Sequence, residues 1–166
     1  MSYLRLGALI LLLSGSAAMA APEEFQVSLG PVARTNVTKL LAVGRGSVSA
    51  SLDGNKLSIK GLFSGLASPA TDAHLCVGVG IGTLGTCGAE PLTVSQSANG
   101  TLSGDLTLTA KQVAALHAGQ LYIQINSQKA PTGNLTGWLL PPHPFAGEDV
   151  PVAGAGFLPQ LDVPQK

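Results

Sequence analysis

From Phe25 onward the apolar residues fall mostly at every second position, the period of a strand with one face in a core. Phe25 to Leu29, Ser47 to Leu52 and Lys56 to Lys60 alternate in this way, and Asp53-Gly54 between the last two marks a hairpin. Ala73 to Val77 predicts another short strand, followed by a glycine-rich stretch from Gly78 to Gly88. Leu92 to Ser95 and Thr101 to Leu108 flank Asn99-Gly100, which predicts a second hairpin turn. Thr109-Ala-Lys-Gln112 has the spacing of a capping box, and Gly119 supplies a stop, so a helix of about two turns is expected between them. Leu121 to Ile125 resumes the alternation, Pro131-Thr-Gly133 predicts a turn, and Asn134 to Leu139 a closing strand. Seven or eight short antiparallel strands with one short helix predict an all-β sandwich, with the helix as a crossover at one end.

Both ends depart from this pattern. Residues 1–20 combine Arg5 with an apolar run from Leu6 to Leu13, too short to span a bilayer comfortably, and then Ala18-Met19-Ala20. These are the parts of a signal peptide cleaved near Ala20/Ala21, which predicts a periplasmic or secreted protein that does not span the membrane after cleavage. The expected domain is 21–140. Beyond it, 141–166 is rich in Pro and Gly yet carries Phe145, Val150, Val152, Phe157, Leu158, Leu161 and Val163. Proline excludes a central strand there, and the apolar content is unlike a disordered tail. Such an extension either lies along its own domain or docks on a partner as an extended peptide.

Charge narrows the function. Nine basic residues balance nine acidic ones, and losing Arg5 with the leader leaves one more acidic than basic. The remaining cations are scattered, so a nucleic-acid partner is not expected. The two cysteines, Cys76 and Cys87, fit a disulfide in an oxidising compartment. His74 and Cys76 would share a strand face, which opens a rival reading: a small metal- or thiol-dependent redox enzyme centred on those two. The other histidines, His117 and His143, fall in the helix and the extension. Carboxylates stand singly, apart from Asp72 near His74, no Gly-x-Ser-x-Gly elbow occurs, and Gly78-Val-Gly-Ile-Gly82 lacks the Lys-Ser/Thr of a nucleotide loop. No catalytic, cofactor or metal residue is therefore assigned. Tyr122 and Trp138 alternate against Ile123, Ile125, Leu135 and Leu139, so they fall on the opposite face, side by side if their strands pair. They form either a second core layer or, with Phe145, Phe157 and Leu158, a surface for a partner.

Several segments together resemble the CHRD domain over roughly Phe25 to Leu140: Phe25 to Gly30, Leu62 to Pro69, Asp72 to Leu75, Gly104 to Leu116, Ala118 to Ile125 and Gly133 to Leu139. The resemblance implies an immunoglobulin-like β-sandwich. Relatives commonly carry a His-x-His where this chain has His74-Leu75-Cys76, a further His at the place of Asn126, and a Glu and an Arg at the places of Asn134 and Thr136. Only His74 of that set stands here, so a polar or metal site built on it is mostly dismantled. The resulting expectation is an exported, non-catalytic binding or assembly module of the cell envelope. It would contact another envelope or secreted protein through the Cys76–Cys87 loop and the extension. A passive structural role in an envelope assembly is the third possibility.

Overall fold

A computed structural model describes residues 21–32 and 36–140. Eight antiparallel strands form there: β1 (Glu23–Pro31), β2 (Arg45–Asp53), β3 (Lys56–Ser64), β4 (Ala70–Val77), β5 (Thr86–Val94), β6 (Gly100–Thr107), β7 (Leu121–Ser127) and β8 (Ala130–Trp138). One α-helix, α1 (Ala110–His117), connects β6 to β7, and a single 3-10 turn (Thr38–Leu40) lies between β1 and β2.

Local chemistry sets these elements. At the β2–β3 hairpin Asp53 faces Lys56, and Gly54 takes the positive φ (+61°) that a two-residue turn demands. The capping box at the start of α1 is formed in both directions. The Gln112 amide donates to Thr109 Oγ1 at 3.3 Å, and the Thr109 amide donates to Gln112 Oε1 at 2.8 Å. Gly119 ends the helix at φ +66°, as the left-handed C-cap requires. Leu116, fully buried, sets the helix on the barrel core.

Two expectations about turns are corrected. Pro131-Thr-Gly133 lies inside β8, and the β7–β8 turn is Gln128-Lys129, with Ser127 facing Ala130. A register shift between Ile125 and Ser127 leaves the ladder irregular beside Pro131, where a residue without an amide donor is tolerated. Asn99-Gly100 sits at the β5–β6 connection but is not its tip. Gly100 opens β6, and Asn99 Oδ1 accepts from the Gly65 amide at 2.8 Å.

The expected sandwich closes into a barrel, in the order β1-β2-β3-β6-β5-β4-β7-β8. One wall comprises β1, β2, β3, β6 and β5, and the other β5, β4, β7, β8 and β1, so β1 and β5 belong to both. The corners are narrow. β1 meets β8 only through Gly30↔Thr136 and Pro31↔Leu135, and β5 meets β6 only through Thr93↔Ser103 and Val94↔Leu102. Alternation requires an apolar face on each wall but carries no signal for these short corner pairings, so an open sandwich and a closed barrel share one pattern. Between the walls Phe25, Val48, Ile59, Leu102, Ile123, Ile125 and Leu135 interlock in a continuous aliphatic core.

Candidate functional site

Cys76 on β4 stands directly opposite Cys87 on β5, and the two are joined by a disulfide. It closes the base of a glycine-rich loop, residues 78–85, which folds down over the outer wall. The Gly78 amide donates to the Gln120 carbonyl at 2.7 Å. The tip is clamped by two main-chain bonds, from Val79 to Thr83 and from Thr83 to Gly80, each 3.1 Å. The Tyr122 hydroxyl accepts from the Gly85 amide at 3.2 Å and donates to the Gly85 carbonyl at 3.3 Å. Close approach explains the glycine. A Cβ at Gly85 would come within 2.1 Å of the Val77 carbonyl oxygen. Tyr122 and Trp138 pair across β7 and β8 with ring centroids 4.8 Å apart, the side-by-side arrangement that alternation implies. Tyr122 is fully buried beneath the loop and Trp138 partly so.

The loop tip is apolar and exposed. Val79 is 77 % accessible and Ile81 54 %. Ile81 Cγ1 and Leu140 Cδ2 converge on the Gly119 position, 3.9 Å and 3.2 Å from where its Cβ would lie, and Leu140 is itself 40 % accessible. Ile81 and Leu140 thus gather at the end of the barrel where α1 stops and the chain leaves β8.

Below the loop the same wall carries a row of polar side chains. His74 Nε2 lies 3.1 Å from Asp72 Oδ1, which also accepts a short hydrogen bond from Asn126 Nδ2. Gln124 Nε2 donates to Asn126 Oδ1 at 2.8 Å and to the Thr132 carbonyl at 3.4 Å. His74, Gln124 and Thr136 stand in register across β4, β7 and β8. His74 Nδ1 and Thr136 Oγ1 are buried with no hydrogen-bond partner among the described residues. One carboxylate, one imidazole and two amides bonded to one another make a positioning network with no nucleophile among them.

The sequence-derived residues separate cleanly. His74 and Cys76 do share a face, but the Cys76 sulfur is committed to Cys87, which removes the thiol the redox reading needs. Among the described residues no group of three or more His, Cys, Asp or Glu could hold a metal ion. Of the positions that the resemblance singles out, 74, 76, 126 and 136 lie on this wall. Asn134 turns elsewhere: it accepts from Ser127 Oγ at 3.0 Å and donates to the Val43 carbonyl at 2.8 Å, holding the β1–β2 connection to β8. His117 pairs with Glu23 at the barrel surface. Phe145, Phe157, Leu158 and His143 lie outside the described residues. Gln124 was not legible as a site residue, because a polar position on an alternating strand reads as solvent-facing.

The fold is a closed eight-stranded barrel with a packed apolar interior and a surface loop stapled by a disulfide. The chain belongs to the CHRD domain family, whose model matches residues 17–139. No curated protein and no solved structure matches it.

Proposed function

We propose that this CHRD domain is a non-catalytic binding module. It is exported to the periplasm or beyond and contacts another envelope or secreted protein through the stapled loop and the chain leaving the barrel at Leu140. The observation that carries this reading is the apolar tip of Val79 and Ile81, held outward by a disulfide at its base and by main-chain bonds within. Two large aliphatic side chains on a pinned loop gain nothing for the fold and lose hydration only when a partner covers them. Pinning also lowers the ordering cost of association, because the loop is already in one shape before contact. The polar wall supports the same reading, since the carboxylate of Asp72 is already engaged by Thr71, His74 and Asn126.

The test is the double substitution Val79→Asp and Ile81→Asp. Both side chains are exposed, so thermal stability is expected to stay close to that of the parent. Co-purification of the mature protein with its envelope partner is expected to be lost. Retention of the same partner at the same stoichiometry would sink the assignment of the loop.

A further inference from the structure

The strand directions put four connections at one end of the barrel and the stapled loop at the other. β1, β3, β5 and β7 run toward the first end, and β2, β4, β6 and β8 run back from it, as the antiparallel ladders require. Hydrogen bonds tie these connections together. The Leu66 amide donates to the Ala98 carbonyl at 3.1 Å, the Lys129 amide to Ser68 Oγ at 2.9 Å, and Asn134 Nδ2 to the Val43 carbonyl at 2.8 Å. Within this end the β1–β2 connection is built inside out. Its 3-10 turn is closed by the Leu41 and Ala42 amides, which donate to the Thr38 carbonyl at 3.0 and 2.8 Å. The small residues Thr38 and Ala42 are buried, and the large ones are not: Val37 is 79 % accessible and Leu40 85 %. Those are the highest values for any large apolar side chain among the described residues. Such exposure leaves apolar surface in water and adds nothing to the core.

Charge is sorted along the same axis. Lys39 lies in the turn, Arg45 opens β2 and Lys129 sits in the β7–β8 turn, all three exposed. Of the described carboxylates, Glu23, Glu24 and Asp53 stand at the opposite end, and Asp105 faces Ser58 close to it. Glu90 is in the middle of β5. Asp72 is the nearest, and its carboxylate is engaged by Thr71, His74 and Asn126. Among the described residues this end therefore combines three cations with an aliphatic tip and carries no uncommitted carboxylate. A polynucleotide would match the cations but not the two aliphatic side chains. A bilayer of anionic phospholipid matches both, because headgroup phosphates meet Lys and Arg while the acyl boundary beneath takes Val and Leu. Lysine and arginine stems suit that boundary, since they lie along apolar surface while the charge stays among the headgroups.

We infer that this end of the barrel docks on an anionic phospholipid surface, with Val37 and Leu40 inserted at the headgroup boundary and Lys39, Arg45 and Lys129 on the phosphates. The stapled loop is then held roughly 30 Å away along the strands, on the aqueous side, where a protein partner reaches it. The test is co-sedimentation of the mature chain 21–166 with two kinds of vesicle: phosphatidylcholine alone, and phosphatidylcholine with about a third phosphatidylglycerol. The chain is expected to pellet with the second kind and not the first, and less so as salt is raised. Val37→Asp with Leu40→Asp is expected to weaken binding at least about tenfold at parental thermal stability, since both side chains are exposed. Lys39→Gln and Lys129→Gln are each expected to weaken it about fivefold. Val79→Asp with Ile81→Asp, at the far end, is expected to bind vesicles as the parent does, which separates this inference from the role of the loop. No pelleting with the anionic vesicles, equal pelleting with both kinds, or parental binding by the Val37 and Leu40 variant overturns the inference. So does loss of binding in the loop variant, which would put the lipid contact at the other end.

Discussion

Replacing Cys76 and Cys87 together by alanine is expected to destabilise the barrel by about 3 kcal/mol, the chain-entropy value for a loop of this size. For a domain of this length that corresponds to a fall in melting temperature of more than about 10 °C. The effect has two sources. The unfolded chain regains the freedom that the cross-link had removed. In the folded state, the loop loses its covalent closure and is held only by the β4–β5 ladder, its own main-chain bonds, Tyr122 and the Gln120 carbonyl. Alanine is chosen because Cys76 is fully buried, and a serine hydroxyl there would add a desolvation cost unrelated to the cross-link. Thermal and urea unfolding of the two proteins measures the difference. A loss below about 1 kcal/mol would mean that the unfolded chain is already compact around these residues.

Phe25→Ala is expected to be the most damaging single substitution in the barrel, at about 3–5 kcal/mol. Phe25 is fully buried on β1, and its partner across the ladder on β2 is Ala50, which is too small to fill the space left behind. The position matters beyond its volume. β1 is a corner strand, holding β2 along seven residues and β8 along two, so loosening it weakens the closure between the walls. Leu62→Ser is the control. Leu62 projects from β3 into solvent, and its removal is expected to change stability by no more than about 0.5 kcal/mol. Equilibrium urea denaturation separates the two cases. Equal effects would show that the buried face of the first wall has been misassigned.

The strands were legible because each has one face in the core, and burial alternates along β1, β2 and β3 as it does in the sequence. The helix was legible because its stop and start are written in adjacent side chains, Thr109, Gln112 and Gly119. Closure was not legible. It depends on two-residue pairings between β1 and β8 and between β5 and β6, which change no side chain from inward to outward. The β7–β8 turn was misplaced because Pro131 and Gly133 are strong turn residues, yet a register irregularity lets both stay in a strand. At the site, Tyr122 and Trp138 could be placed together because period two and antiparallel pairing suffice. The Asp72–His74–Asn126–Gln124 network joins two strands distant in sequence, and alternation alone says nothing of which polar positions face water and which are covered.

The central claim is that the stapled loop is the contact surface of a binding module. Its most direct test is a photoreactive amino acid placed at Val79 and, in a second protein, at Ser49 on the opposite wall, with both expressed in the native envelope and irradiated. The account predicts one discrete protein adduct from position 79, lost when Ile81→Asp is added, and none from position 49. The same adducts from both positions, or an adduct from position 49 alone, would contradict it.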